Sequence, residues 1–286
     1  MTSFALRREL FFIALALPSI VGLAVFFLVP FGASLHMAMI DNPVGQNFVG
    51  LHHFTGTLQN TAFRLAITNT LMFMAMSVPL NMVFALLVAC MLRSVGGFGK
   101  SVLGMFFLLP LVVPSGSVVH FWRSLFGING AVNSWFFADE PVNWLNTDWA
   151  IYIVVLIFLW KNVGFNIVLY LAGLNLIPKE YYECAAIEGA GRIKQFFSIT
   201  LIYLLPTSFM VFLMSIVQSF RAFREIFLLT GAYPHNSIYM LQHYMNNQFA
   251  ALNYQRLAAA SYILTAGIVA VVLVVFYLQR RAMSYE

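Results

Sequence analysis

Charge is scarce in this chain. Only 9% of its 286 residues are Asp, Glu, Lys or Arg, against roughly a quarter in a soluble globular domain, which argues against a water-soluble fold. Cysteine is scarcer: Cys90 lies inside an apolar run and Cys184 in an acidic stretch. With no CxxC pair and no Cys/His ligand spacing, redox and zinc roles have no support. The six histidines, adjacent His52 and His53 included, show no HExxH or other metal spacing. Acidic residues number 10 and lie almost entirely between the apolar runs. Lys and Arg also fall between those runs, so the net charge of +5 lacks the clustered basic face, interleaved with aromatics, of a nucleic-acid binder.

What is abundant is apolar surface, at 61% of residues. Runs of spanning length, roughly 20 residues each, occupy 10–31, 65–92, 102–122, 149–174, 196–220 and 257–278. They predict an all-α membrane protein of six transmembrane helices in a single domain, 1–286. Arg7 and Arg8 followed by Ala14-Leu15-Ala16 resemble a signal peptide, but the run continues well past Ala16 and reads as a retained anchor. Positive residues in short loops are retained in the cytoplasm. Placing both termini there puts Arg7, Arg8, Arg93, Lys100, Lys179, Arg192, Lys194, Arg280 and Arg281 inside, and Arg64, Arg123, Arg221, Arg224 and Arg256 outside. Two outer segments, DNPVGQNFVGLHHF from Asp41 and GINGAVNSWFFADEPVNWLNTDW from Gly127, are rich in turn-forming and aromatic residues. Trp135, Trp144 and Trp149 suit the membrane interface, where an indole keeps its N–H wet and its ring in the acyl boundary.

Gly99-Lys100-Ser101 has the ending of a phosphate-binding loop, but Ser94 stands where that motif needs glycine, and membrane spans flank it rather than a soluble strand and helix. A second polar island, PKEYYECAAIEGAGRIKQFFSITLIYLLP, runs from Pro178 to Pro206. Pro178 starts a helix, Glu180 sits near its positive dipole end, and Gly189 or Gly191 ends it with a left-handed cap. The result is a short helix of about three turns. Tyr182, Ala186 and Gly189 share one face, with Glu183, Ile187 and Ala190 on the next. Small side chains admit another backbone, and Glu183 and Glu188 offer carboxylates to a partner's Arg or Lys. The residues fit a docking surface and an amphipathic connector equally well.

Lys161 lies about halfway along the fourth run, too deep to snorkel easily, with Asn162 and Asn166 one turn apart beside it. A charge at that depth faces a cavity or a partner. Ser215 and Ser219 are likewise one turn apart on the fifth run, with Gln218 adjacent. Such polar side chains serve either as hydrogen bonds between helices or as contacts to a polar solute. Arg221 and Glu225 have the i,i+4 spacing of a helical ion pair, and the fifth span is expected to end or break there, leaving RAFREIFLLTG as a partly buried outer segment.

Nearly the whole chain resembles the carbohydrate-importer permeases of the ABC superfamily. The likeness rests on LALPSIVGLAVFFLVP, FVGLHHF, ITNTLMFMAMSVPL, FFLLPLVVPS, GINGAVN, VNWL, WKNVGFNIVLYLAGLNLIPKEYYECAAIEGA and ITLIYLLP. It implies a type I importer permease fold with a short cytoplasmic coupling helix between spans 4 and 5. Glu183 matches the glutamate of the family's loop motif, Cys184 and Ala185 its alanine pair, Glu188 its usual aspartate and Gly189 its glycine; Ala186 lies within the same surface. Departures are Cys184 for alanine, Ile202 for proline, which puts the local bend in question, and Ala232-Tyr233 where the family favours glycines.

The resemblance also implies that Phe158, Trp160, Lys161, Asn162, Asn166, Ser215, Gln218 and Ser219 line a sugar pathway, with amides and hydroxyls for the hydroxyls and aromatic faces for the C–H surface. It implies a second permease, two ATP-binding subunits that hold ATP and Mg, and an extracytoplasmic solute-binding protein. The chain itself has no catalytic residue, metal or cofactor of its own in this reading. Its setting is the bilayer of a bacterial or archaeal plasma membrane, with both termini cytoplasmic, and its cargo a sugar or a polyol phosphate. A secondary transporter is the main competitor and predicts half-repeats and acids within spans. An intramembrane enzyme needs juxtaposed catalytic groups, whereas His120 has no evident partner in sequence.

Overall fold

The computed structural model describes the backbone of residues 2–94 and 97–283, and the side chains of 11–94, 102–277 and 279–281. The side chains of Arg7, Arg8 and of Gly99-Lys100-Ser101 lie outside that set. Among the described residues there is no sheet, only an isolated antiparallel bridge between Ile40 and Phe48. Four helices are long and apolar enough to cross a bilayer: Phe11–Ala38, Thr61–Ser94, Ala150–Asn175 and Tyr254–Arg281. Two bent pairs, Val102–Val112 with Ser115–Phe136 at 100° and Arg192–Tyr203 with Leu205–Thr230 at 67°, bring the total to six if each pair is one crossing.

Proline chemistry explains both bends. Pro114 has no N–H and pushes Val113 out of the helical region, so the Gly97–Val112 helix stops and a new one starts at Ser115. Pro206 removes the hydrogen bond to the Ile202 carbonyl; the chain answers with a π turn at Phe196–Thr200 and a break at Leu204. The family's proline at position 202 is therefore not needed for the bend. The break expected near Arg221 is instead a single residue, Ala222, which keeps right-handed helical angles between Leu205–Arg221 and Phe223–Thr230. At the glycine-poor segment after it, Gly231 alone takes positive φ, +79°.

The backbone packs as two units, residues 1–60 with 247–268 and residues 61–246 with 269–286. In the first, Ala38, Ala258 and Ala259 are buried against Met37 and Phe54, and the Tyr262 hydroxyl donates to the Phe31 carbonyl. The Asp41 carboxylate organises the following turn by accepting from the Asn47 amide side chain at 3.0 Å and the backbone N–H groups of Asn42 and Asn47. Those bonds, the Asn47 side chain first, hold its pKa below the usual carboxylate value.

The second unit is built round Ala150–Asn175, of whose apolar window 56% is buried, against 33% for Thr61–Ser94. Ala85, Ala89 and Leu92 meet Val163, Ile167 and Tyr170 along one seam. Between helices in lipid, tight van der Waals packing has to replace the hydrophobic drive, so small residues at crossings matter. Gly164 shows it: a Cβ there would lie 2.2 Å from the Phe107 carbonyl oxygen. We expect Gly164→Ala to prise the Gly97–Val112 helix from Ala150–Asn175 and to cost ~1–3 kcal/mol, read as a lower thermal midpoint in detergent.

His243, in the short Leu241–Ala250 helix, is buried beneath Phe223 and Tyr239. Its Nδ1 accepts the Met240 N–H at 3.1 Å, while Nε2 has no partner. Burial pushes its pKa down to about 4 from 6.5. The unfolded ring takes a proton below about pH 6.5 and the folded ring only near pH 4, so stability falls across that window. The thermal midpoint should drop between those pH values, and His243→Asn, whose Oδ1 also accepts the Met240 N–H, should remove most of the drop.

Candidate functional site

Two polar features interrupt the apolar scaffold. The first forms at the 100° bend. Because the new helix starts at Ser115, its hydroxyl turns toward the middle of Ala150–Asn175, where it accepts from Lys161 Nζ at 2.9 Å and donates to Glu225 Oε1 at 2.7 Å. Lys161 and Glu225 themselves form an ion pair. Lys161 stands about 17 Å from one end of its helix and about 21 Å from the other at 1.5 Å per residue, and Glu225 is buried, with 7% of its surface exposed. A charge so deep is held only by a partner of opposite sign and further hydrogen bonds. The i,i+4 pair expected between Arg221 and Glu225 is thus replaced by a longer-range one. The pair also sets the Arg221–Glu225 segment beside the middle of Ala150–Asn175, not at the outer boundary where loop charge alone placed Arg221 and Arg224.

Around this pair opens a cavity of about 450 Å³, to whose lining Lys161, Asn162, Gln218, Arg221, Arg224 and Glu225 belong. The Gln218 Oε1 is buried without a hydrogen-bond partner, and Asn162 spends its Nδ2 on the Phe158 carbonyl at 2.9 Å. Other polar residues of the two helices face elsewhere. Asn166 Nδ2 donates to Ser215 Oγ at 2.8 Å, a bond between helices, and Ser219 Oγ bonds back to the Ile216 carbonyl. Phe158 is core, edge-on to Phe73 at 5.5 Å, while Trp160 packs among Phe121 and Trp122.

The second feature is the helix Lys179–Ile187. Pro178 is its N-cap, extended at ψ 140°, and Glu180 lies in the first turn. At its end Ala190 N–H reaches the Ala185 carbonyl at 2.8 Å and Gly189 N–H the Ala186 carbonyl at 3.0 Å, with Gly189 at φ +80°; this is a Schellman cap. Gly191, at φ −65°, takes no part in it. The helix buries no residue. Tyr182 anchors it: its ring lies 5.1 Å from the Arg93 guanidinium, its hydroxyl shares a 3.0 Å hydrogen bond with Thr200 and accepts from Arg93 at 3.3 Å. Gln195 adds a bond to the Ala190 carbonyl at 2.9 Å. Tyr182 therefore turns away from Ala186 and Gly189, which stay exposed with Glu183, Cys184, Ile187 and Glu188, while Ala185 is half-buried.

Residues 66–283 match the family model described as the binding-protein-dependent transport system inner membrane component. This chain belongs to that family. The permease is 30% identical over 281 residues, 95% of both chains, to the sn-glycerol-3-phosphate transport system permease protein UgpA of Yersinia enterocolitica. It is 31% identical over 250 residues, 85% of this chain and 80% of the other, to the arabinooligosaccharides transport system permease protein AraP of Bacillus subtilis. Among solved structures it shares its fold with a chain of a bacterial ABC transporter involved in the import of the acidic polysaccharide alginate, at a TM-score of 0.84, 24% identity and 97% coverage of each. The chain is accordingly an inner-membrane permease subunit with the type I importer fold.

Several residues that organise the permease are silent in sequence. Asn133 is buried and holds its loop by donating to the Val142 carbonyl at 2.7 Å and accepting from Trp144 Nε1 at 2.9 Å. Asn69 donates to the Tyr239 carbonyl at 3.0 Å, and Thr70 Oγ1 accepts the Leu241 N–H at 2.9 Å. In sequence Asn69 and Thr70 stand in the polar triplet Thr68-Asn69-Thr70 of an apolar run, and Asn133 in a loop stretch; the signal is the cost of leaving an amide or hydroxyl unbonded there. Ser115 had a signal too, as the first residue after a proline break.

Lys161→Met alone leaves a buried carboxylate without its cation and should cost ~3–5 kcal/mol. Lys161→Met combined with Glu225→Leu should recover most of that loss. Thermal unfolding of the purified permease in detergent distinguishes the two.

Proposed function

We propose that this permease imports a carbohydrate or carbohydrate derivative, and that ATP hydrolysis on separate subunits drives it. The observation that supports the coupling is the short Lys179–Ile187 helix, which is anchored through Tyr182 and buries no residue. Glu183 and Glu188 offer its partner two carboxylates, and a side chain at Gly189 would meet nothing within 4 Å in this chain, leaving that approach open. In this reading the helix faces the cytoplasm with both termini, and two ATP-binding subunits, one under this chain and one under a second permease, carry ATP and Mg. An extracytoplasmic solute-binding protein delivers the cargo, and the membrane is a bacterial or archaeal plasma membrane.

The carbohydrate assignment draws support from the relatives, whose names specify glycerol phosphate, arabinooligosaccharides and, for Thermococcus litoralis MalF, trehalose and maltose. The second feature in its favour is the amide-lined cavity beside Lys161. Of the residues the resemblance assigns to the pathway, Lys161, Asn162 and Gln218 line that cavity, and the others brace the helices around it.

The experiment is co-purification and uptake in proteoliposomes. Glu183→Lys sets like charge against a basic partner, and Gly189→Asp places a charge and a strained φ where close approach is needed. Each should lower recovery of the ATP-binding subunit and cut uptake at least tenfold while the permease remains folded by thermal unfolding. Unchanged recovery and uptake in both would exclude this helix as the docking surface.

A further inference from the structure

On the reading that this permease moves carbohydrates, we propose that its cargo carries an oxyanion, a carboxylate or a phosphate, and that Arg221 and Arg224 receive it. Three cations and one carboxylate line the cavity beside Lys161. Glu225 is already engaged by Lys161 and by Ser115, so Lys161 is already neutralised. Arg221 and Arg224 are exposed, and among the described residues neither guanidinium has a hydrogen bond or ion pair. Two positive charges therefore stand uncompensated on the wall.

Their position makes this informative. The ion pair with Lys161 ties Glu225 to the middle of Ala150–Asn175, and Arg221 and Arg224 precede Glu225 by one turn and one residue. Arginine deep in a bilayer is costly and faces a water-filled cavity or an anionic partner. Arg221 and Arg224 are three residues apart, the spacing at which helical side chains share a face, and Gln218, one turn before Arg221, lines the same cavity with Asn162. A guanidinium fork matches the paired oxygens of a carboxylate or phosphate, and the amide side chains of Asn162 and Gln218 on the same wall are of the type that pairs with hydroxyls. Hydroxyl-accepting and oxyanion-binding groups side by side describe an acidic or phosphorylated sugar better than a neutral one, which would leave both guanidinium groups without a counter-charge. A carboxylate supplied by the second permease has the same chemistry, and the test separates the two sources.

The complete importer, with its own second permease, ATP-binding subunits and binding protein, is reconstituted in proteoliposomes. It is offered two matched pairs of probes: glucose with glucose 6-phosphate, and maltotetraose with tetragalacturonate. In at least one pair the anionic member should stimulate ATP hydrolysis and enter at least tenfold faster than the neutral one. Arg221→Gln/Arg224→Gln should cut that rate tenfold or more, and Arg221→Lys/Arg224→Lys, which keeps the charge but not the fork, should restore part of it with a raised KM. If the glutamine variant does not assemble, the lysine variant and the fall of wild-type uptake with salt decide in its place. Preference for neutral members overturns the anionic cargo and leaves carbohydrate import standing. Equal loss for neutral and anionic members, with the second permease no longer co-purifying, assigns the arginines to the subunit interface and overturns the inference. Retention of full anionic uptake by the glutamine variant overturns the site. Stimulation by none of the four overturns the carbohydrate reading, and this inference with it.

Discussion

The ion pair between Lys161 and Glu225 is the constraint around which the transmembrane scaffold is arranged. A lysine halfway along a buried helix needs a carboxylate brought to it through apolar surroundings, and three elements far apart in sequence converge to supply one. The bend at Pro114 delivers Ser115, the bend at Leu204 redirects the helix that carries Glu225, and Ala150–Asn175 carries the lysine. With the charges neutralised, the apolar remainder packs as it would in any bundle: Ile226 and Ala222 meet Val154 and Phe158 on one side of the pair, and Leu229 meets Ile153 and Ile157 on another.

The cavity and the short exposed helix stand at different levels of the same unit. Tyr182 connects the helix to the scaffold: its hydroxyl meets Thr200 in the π turn that precedes the bend, and its ring lies under Arg93 at the end of Thr61–Ser94. Tyr182 thus joins Lys179–Ile187 to the base of the helix pair leading to Gln218 and Glu225. The helix buries no residue of its own, and two aromatic side chains tie it to the scaffold: Tyr182, and Tyr181, whose ring lies 5.1 Å from that of Tyr203.

Much of this was legible beforehand because it depends on local chemistry. Long apolar runs have to become helices in lipid, where every backbone polar group needs an internal partner, and each of the six runs is helical in the structure, the first running on to Ala38 and two of them bent. The short helix announced itself by Pro178 and Gly189, whose backbone properties are local. Lys161 was recognisable as a residue needing a partner, but its partner was not: the i,i+4 rule favoured Arg221 for Glu225, and the actual cation lies 64 positions away. Asn133, Asn69 and Thr70 were missed for the same reason, since each serves backbone groups that only folding brings near.

Sequence by itself determined the solvent of this protein, its all-helical apolar architecture, its family, and the short helix that starts at Pro178. These follow from composition, periodicity and the fixed backbone behaviour of proline and glycine. Tertiary structure alone decided which charges neutralise each other, where the crossings bend, which polar side chains merely brace helices, and that Arg221 and Arg224 are left without a counter-charge beside a cavity. Electrostatic pairing depends on distance in space, and in a bundle of bent helices sequence separation does not predict that distance.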